Sequence, residues 1–268
     1  MKRALTIAGS DSGGGAGIQA DLKVFAALGV YGTSAITAVT AQNTLAVTRI
    51  QEIDPDVVTA QIEAVLTDIG ADATKTGMLA SAPIVEAVAT TLARLPVPHL
   101  VVDPVMIAKS GAALLRDDAV ATLAARLLPL AEVVTPNLPE AARLTGGDGS
   151  GQAPDDRALE EQARRIAALG PRIVVIKGGH ATGPESVDLF FDGARFERLR
   201  GPRIATRATH GTGCTFSAAL AAGLALGRTP FDAAVAARRY LEAALRSAPG
   251  LGSGAGPLDH FHATRGRS

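Results

Sequence analysis

Short apolar runs and stretches with helical spacing alternate along most of the chain. Runs typical of buried strands are found at 4–8, 31–40, 47–53, 73–78, 99–103, 132–135, 173–177, 187–191 and 195–199. Helical spacing or start signals are found at 18–28, 54–69, 81–94, 119–128, 136–140, 159–169, 214–223 and 230–246. This alternation predicts a three-layer α/β fold around a mostly parallel sheet, formed as a single domain over residues 1–268.

Glycine or polar residues mark several of the predicted strand exits, and we expect them to gather along one edge of the sheet. They are Gly9, Gln42, Asp103, Asn137, Lys177 and the 210–214 loop. The segment 187–199 differs, because Asp192-Gly193 between two apolar runs predicts a hairpin. The Gly/Ser/Asp-rich segment 146–154 is interpreted as a mobile surface connection rather than a domain boundary.

The segment 208–220 predicts an anion site, because a glycine-rich loop runs directly into a helix. Gly211 and Gly213 allow close approach of the backbone, and a helix start offers N–H groups without intrahelical partners. The only cysteine, Cys214, lies in the first helical turn, where a thiol pKa is lowered. The alternative is a tight turn followed by a small buried residue.

A second glycine-rich loop, residues 9–17, joins the first strand to the first helix. Residues 15–20 fit the dinucleotide pattern Gly-x-Gly-x-x-Ala, but the turn is too long. In addition, no acidic residue occurs between Asp21 and Glu52, where the ribose ligand of that motif is expected. We therefore favour a loop lying against a small ligand, with a plain connector as the alternative.

Four polar residues at strand exits have both a functional and a purely structural interpretation. Gln42 could read a heterocycle through one donor and one acceptor, or it could lie in a turn. Asp103 could be a site carboxylate or a helix cap. Asn137 and Glu140 fit a capping box at a helix start, which needs no ligand.

The composition of the chain disfavours binding to nucleic acid or to a membrane surface. Lys plus Arg and Asp plus Glu are both 26, so no net charge points to nucleic acid or a membrane surface. Aromatic residues are 3% of the chain and tryptophan is absent, which disfavours base stacking. One cysteine, no signal-peptide pattern and no long apolar stretch lead us to expect a cytoplasmic protein.

Several of these motifs together resemble the bacterial hydroxymethylpyrimidine/phosphomethylpyrimidine kinases of thiamine synthesis, members of the ribokinase-like superfamily. The resemblance lies, in order, in residues 6–23, 40–44, 75–79, 103–106, 135–140, 175–180, 209–215 and 256–262. It implies ATP-dependent phosphorylation of 4-amino-5-hydroxymethyl-2-methylpyrimidine and then of its monophosphate. It also implies a homodimer with no extra synthase domain.

The resemblance further implies roles for individual residues. The pyrimidine pocket would be lined by Gly9, Asp21, Gln42, Met78 and Val105. Asp103, Asn137 and Glu140 would organise Mg²⁺ and phosphates, while Lys177, Thr209 and Thr212 would bind ATP. Gly211, Gly213 and Cys214 would surround the transferred phosphoryl group.

Cys214 stands where most members of the superfamily have an aspartate base. We interpret the cysteine as suited to two successive transfers, because a fixed carboxylate would repel the anionic substrate of the second.

Two other functions stay open at this point. A pyridoxal kinase would use a similar flat, hydroxymethylated heterocycle, and a pyrimidine-binding sensor would keep the fold without turnover. The absence of a Walker motif argues against a P-loop kinase. His260 and His262 provide too few ligands for a metal site, so we expect them to pack the chain's tail.

Overall fold

Nine strands form one sheet with helices on both faces in the computed structural model, which describes residues 1–108, 111–147, 155–179, 183–262 and 264. The strands are β1 (Arg3–Asp11), β2 (Tyr31–Gln42), β3 (Val47–Glu52), β4 (Ala73–Thr76), β5 (Leu100–Val102), β6 (Val133–Val134), β7 (Ile173–Ile176), β8 (Glu185–Phe191) and β9 (Phe196–Pro202). The helices are α1 (Gly17–Ala27), α2 (Pro55–Ala64), α3 (Ala82–Arg94), α4 (Asp117–Thr122), α5 (Leu138–Leu144), α6 (Asp156–Ala167), α7 (Thr212–Ala225) and α8 (Pro230–Arg246).

The sheet has the strand order β3-β2-β1-β4-β5-β6-β7-β8-β9. The six central strands of this order, β2, β1, β4, β5, β6 and β7, run parallel to one another. Strand β3 at one end of the sheet and strands β8 and β9 at the other end form antiparallel pairs. The mostly parallel sheet is therefore confirmed. Because the six central strands point the same way, their carboxyl ends meet at one edge, where open α/β sheets bind ligands.

The two faces of the sheet bury separate hydrophobic cores. Helices α2 to α6 pack on one face, and α1, α7 and α8 pack on the other. Neighbouring strand residues alternate between these cores, as shown by Val101 and Val102 of β5. Helix α7 is buried from Thr215 to Ala225, so it holds the loop before it firmly against the sheet.

Some helix ends differ from the sequence prediction. Asp54 and Ser81 occupy N-cap positions, but neither side chain makes a capping hydrogen bond. Ser81 instead donates to Glu52 across 2.5 Å. The predicted helices 54–69 and 119–128 each end in a π-helical turn, at Val65–Ile69 and Leu123–Leu127.

Helix α7 begins two residues before Cys214 and continues through Gly223. Gly223 lies close to α8, where an added Cβ would meet the Ala233 side chain at 3.0 Å.

The predicted hairpin is confirmed, with β8 and β9 paired across a turn that Asp192 stabilises. Its carboxylate accepts hydrogen bonds from the N–H groups of Ala194 and Arg195. Of the predicted connection 146–154, residues 148–154 lie outside the described residues. Across the described ranges, no helix is both long and apolar enough to cross a bilayer.

A fully buried ion pair connects α1 to β4. Lys75 Nζ lies 2.8 Å from Asp21 Oδ2, and both side chains are 0% exposed. Thr6 of β1 donates a further hydrogen bond to the same oxygen over 2.6 Å. Burial lowers the pKa of Lys75, but Asp21, Cys214 and Asp103 together outweigh burial and raise it above its ordinary value.

Replacing only one member of this pair should destabilise the folded protein far more than replacing both. Lys75→Met leaves a buried carboxylate without its cation and should lower the free energy of unfolding by about 3–5 kcal/mol. The double variant Lys75→Met/Asp21→Asn should recover part of that loss, as measured by urea unfolding. Strictly additive losses would contradict the pairing.

Candidate active site

A cavity of about 630 Å³ opens at the carboxyl edge of the parallel strands. Its volume lies within the range of small-molecule sites. Thirteen of the residues proposed from sequence line it: Gly9, Gln42, Met78, Asp103, Val105, Asn137, Glu140, Lys177, Thr209, Gly211, Thr212, Gly213 and Cys214. The structure thus brings together positions that are scattered over most of the chain.

Asp21, which the resemblance assigns to the pyrimidine pocket, differs from these residues. It is absent from the cavity wall, because its side chain points into the protein and pairs with Lys75. Asp21 therefore acts on the site from behind, through the charge of that pair.

The loop before α7 has a conformation that requires glycine. Gly211 is the N-cap, with φ of 84°, and a Cβ there would lie 1.8 Å from the carbonyl oxygen of Gly15. A Cβ on Gly213 would meet Lys177 Nζ at 3.2 Å. The two glycines therefore let the helix start approach both the other glycine-rich loop and a cation, as an anion site needs.

Asp11 organises the loop 9–17, a role that the sequence analysis did not identify. Its carboxylate accepts hydrogen bonds from the N–H groups of Gly13, Gly15 and Ala16 at 2.8–3.0 Å, and His210 Nε2 lies 2.8 Å away. Burial raises the pKa of Asp11, but the bond to His210 and the backbone N–H groups hold it below its ordinary value. The signal available in the sequence was an Asp at the start of a glycine-rich turn.

Asp103 anchors the centre of the cavity wall. It accepts hydrogen bonds from Lys177 at 2.7 Å and from Ser217 of α7 at 3.0 Å. Burial raises the pKa of Asp103, but the cations Lys177 and Lys75 outweigh it and keep the pKa low. The carboxylate therefore stays charged and ties β5, β7 and α7 together.

The capping box predicted for Asn137 and Glu140 is confirmed. The Asn137 side chain accepts from the Glu140 N–H at 2.9 Å, and the Glu140 carboxylate accepts from the Asn137 N–H at 2.8 Å. Burial, with a further contribution from Asp103, raises the pKa of Glu140 to about 7, although Lys177 opposes the shift. Glu140 therefore carries a carboxyl group that can change its charge near neutral pH.

The thiol of Cys214 is not acidified, contrary to the expectation from its place at a helix start. Burial raises its pKa to about 11, and the carboxylates of Asp21 and Asp103 add to the increase. Lys75 and a hydrogen bond from the Gly17 N–H act in the opposite direction but are outweighed. Cys214 is therefore a neutral thiol at physiological pH.

No group of three or more His, Cys, Asp or Glu side chains in the described parts of the chain could hold a metal ion. Two carboxylates, Asp103 and Glu140, nevertheless face the same cavity. Mg²⁺ commonly uses one or two carboxylates and takes its other ligands from water and substrate phosphates. The donor set therefore fits a magnesium ion that arrives with a nucleotide.

The His260-x-His262 pair packs the tail, as expected. His260 is 3% exposed, and its Nε2 lies 3.0 Å from the hydroxyl oxygen of Thr215. Burial lowers the pKa of His260 to about 4, so it is neutral.

The far end of the cavity combines apolar and paired charged residues that the sequence analysis did not single out. Asp188 accepts from Arg238 at 2.6 Å and from the Gly178 N–H at 2.8 Å. Phe216 and Leu245 line the same cavity. Because its charges are already paired, this end suits an uncharged, partly apolar group.

Comparisons with known proteins agree with this arrangement. A sequence model of the family described as phosphomethylpyrimidine kinase matches residues 11–259. The hydroxymethylpyrimidine/phosphomethylpyrimidine kinase of Rhizobium meliloti is 54% identical, with 97% of each chain covered.

Two solved structures share the fold. An ADP complex of Bacillus subtilis pyridoxal kinase superposes with a TM-score of 0.91 and 40% identity, over 99% of each chain. The phosphomethylpyrimidine kinase of Clostridium difficile gives a TM-score of 0.79 and 41% identity, over 90% of this chain and 98% of that one. These similarities confirm the ribokinase-like fold expected from the resemblance.

The raised pKa of Glu140 predicts a pH-dependent cost in stability. Between its ordinary value of 4.5 and about 7, the folded protein binds more protons than the unfolded chain, so stability falls as pH rises. Glu140→Gln keeps the capping box but removes the charge. In metal-free buffer, the variant should exceed the parent protein in unfolding free energy at pH 8 by on the order of 3 kcal/mol, and should match it near pH 4.5.

Urea unfolding at the two pH values tests this prediction. Glu161→Gln, at an exposed position on α6, is the matched control and should leave the pH dependence unchanged. A Glu140→Gln protein less stable than the parent at pH 8 would contradict the buried, proton-binding carboxyl.

Proposed function

Since the chain belongs to the phosphomethylpyrimidine kinase family, we propose that it phosphorylates 4-amino-5-hydroxymethyl-2-methylpyrimidine and then its monophosphate, using ATP, for thiamine synthesis. The observation that carries this proposal is the junction of the two glycine-rich loops. The ring-reading side chain Gln42 and the anion site before α7 line one cavity, with Cys214 at the helix start. A hydroxymethyl substituent on a bound ring can therefore face a bound phosphoryl group.

The pyrimidine would occupy the end of the cavity near β1 and β2. Gly9 has no side chain there, and an added Cβ would meet Met78 Sδ at 3.0 Å. Met78 and Val105 offer apolar surfaces to a flat ring, while Gln42 offers one donor and one acceptor. Asp21, which pairs with Lys75 behind this wall, would contribute through its charge.

The ATP phosphates would lie between Lys177 and the start of α7. Lys177 is a charged, mostly buried cation, since Asp103 and Glu140 raise its pKa against the effect of burial. Thr209, Thr212 and the N–H groups around Gly211 and Gly213 would surround the phosphates. Phosphoryl transfer depends mainly on such positioning and charge stabilisation.

Mg²⁺, when bound, would neutralise charge on the phosphate oxygens. Asp103 and Glu140 would hold it, partly through water, with Asn137 beside them. Approach of the cation would favour the charged form of Glu140, whose pKa lies near 7 without it.

Cys214 would position the substrate hydroxyl by hydrogen bonding rather than act as a strong base. With a pKa of about 11, its thiolate form is scarce at neutral pH. The loose transition state of phosphoryl transfer does not require early removal of the hydroxyl proton. In the second step the nucleophile is an already ionised phosphate oxygen, which an uncharged thiol does not repel.

The single domain over residues 1–268, the homodimer and the cytoplasmic location belong to the same proposal. They rest on the family resemblance and on the continuous sheet.

A second candidate is phosphorylation of pyridoxal, favoured by the close superposition on a pyridoxal kinase. A non-catalytic sensor is disfavoured, because charged Lys177 and Asp103 meet at 2.7 Å beside the anion site. Such a pair is useful for phosphoryl transfer but unnecessary for binding a neutral ring.

Product analysis separates these functions. The purified protein is incubated with Mg²⁺-ATP and either hydroxymethylpyrimidine or pyridoxal, and mono- and diphosphates are resolved by chromatography. We expect the pyrimidine diphosphate to accumulate. Phosphorylated pyridoxal alone would favour the second candidate, and no product from either substrate would favour the sensor.

A change of charge at residue 214 should affect the rates of the two phosphorylation steps differently. Cys214→Asp should retain the first phosphorylation within about tenfold but lower the second by about a hundredfold or more, because the new carboxylate repels the monophosphate. Cys214→Ser is the uncharged control and should affect both steps alike. Steady-state rates with each substrate give the comparison; equal losses for Cys214→Asp would contradict the electrostatic role.

A further inference from the structure

The orientation of the Gln42 amide can be deduced from the hydrogens available around it. The two ends of this amide face two fixed partners. The structure places the amide nitrogen 3.4 Å from His210 Nε2 and the amide oxygen 3.2 Å from the hydroxyl oxygen of Thr40, but the two atoms have the same shape, so the hydrogens of the partners decide which atom faces which. Each partner is in turn bonded to a group that can only accept a hydrogen, and this decides which atom of the amide each can face.

At the first end, the partner of His210 is a carboxylate. His210 Nε2 lies 2.8 Å from Asp11 Oδ2, and both side chains are buried. Three backbone N–H groups also bond the Asp11 carboxylate, which keeps its pKa low and the group ionised. A carboxylate only accepts, so Nε2 must carry the hydrogen and has no lone pair for a second donor. This N–H already donates to Asp11, so the Gln42 amide nitrogen would set a donor against a donor, whereas the amide oxygen at 3.4 Å can share the hydrogen.

At the other end, the partner of Thr40 is a backbone carbonyl. The Thr40 hydroxyl donates its single hydrogen to the carbonyl oxygen of Ser10 over 2.9 Å. It therefore offers only a lone pair to Gln42, and the amide nitrogen satisfies that lone pair. Both ends lead independently to the same orientation, with Gln42 Oε1 toward His210 and Nε2 toward Thr40.

We propose that Asp11, His210 and Thr40 are positioning residues that fix the Gln42 amide in this orientation and thereby select a 4-aminopyrimidine over its 4-oxo counterpart. This inference rests on the proposed function, in which Gln42 reads the ring. The second lone pair of Oε1 and the second hydrogen of Nε2 stay available to a ligand in the cavity that Gln42 lines.

These two groups match the edge of a 4-aminopyrimidine. The amino group donates to Oε1 while the adjacent ring nitrogen accepts from Nε2, as in bidentate reading of adenine by glutamine. A 4-oxo ring presents the reverse order, an acceptor beside a ring N–H. The ring cannot turn over to compensate, because its hydroxymethyl group must face the start of α7. The oxo compound could bind only by leaving buried polar groups mismatched.

The test compares kcat/KM for 4-amino-5-hydroxymethyl-2-methylpyrimidine with that for its 4-oxo analogue. Thr40→Val removes one partner of the amide and His210→Phe removes the other. Thr33→Val is the matched control: it lies on the same strand, is buried, and bonds only weakly, at 3.4 Å, to the Ala4 carbonyl. We expect the parent protein to prefer the amino compound strongly and the control to retain that preference.

In Thr40→Val and His210→Phe, the ratio of the two kcat/KM values should fall about tenfold, mainly through a higher KM for the amino compound. An unchanged ratio would overturn the inference, and if both kcat/KM values had fallen equally it would show that the residue has a merely structural role. His210 lies in the loop before α7, so if His210→Phe does not fold, Thr40→Val alone decides.

Turnover measurements on the parent protein distinguish a failure of this inference from a failure of the proposed function. Turnover of the amino compound without discrimination against the oxo compound would overturn only the inference. No turnover of the amino compound would contradict the proposed function itself and remove the substrate that the inference assumes.

Discussion

Two lysines, one fully buried and one mostly buried, hold the charges of this site in place. Lys75 is paired with Asp21 behind the cavity wall, and Lys177 is paired with Asp103 at its surface. Removing such groups from water costs several kcal/mol each, so the carboxylates are tolerated there only beside fixed cations. The thiol of Cys214 lies among these charges and stays neutral, because burial and the two aspartates outweigh the attraction of Lys75. The carboxyl edge of the sheet therefore combines two paired lysines with an uncharged thiol.

The second constraint is the contact between two loops that are far apart in sequence. Gly211 approaches the carbonyl of Gly15 so closely that no Cβ fits between them, and His210 reaches Asp11 across 199 positions. The two glycine-rich loops therefore form one rigid unit at the cavity wall. In the proposed function this contact would fix the distance between a bound ring and a bound phosphoryl group, and such preorganisation accounts for much of phosphoryl-transfer catalysis.

Periodicity and strand exits were sufficient to predict the sheet, the hairpin and the edge at which the cavity opens, because parallel strands bring their carboxyl ends together whatever their neighbours. Side-chain direction was not predictable in the same way. Asp21 is on a helix that borders the site, but nothing in the local sequence shows that it turns inward toward Lys75. The high pKa of Cys214 was missed for a related reason: a helix start predicts acidification, whereas the degree of burial depends on the whole fold.

The neutral state of Cys214 is the claim on which the account of both transfers depends, and it can be measured directly because the chain contains one cysteine. The rate of alkylation by iodoacetamide, followed against pH on the folded protein, reports the thiolate fraction of that residue alone. The account predicts slow reaction at pH 7 and a rate that rises with an apparent pKa of about 11. A titration at or below the ordinary thiol value of 9.0 would contradict it and would make Cys214 an activated thiolate.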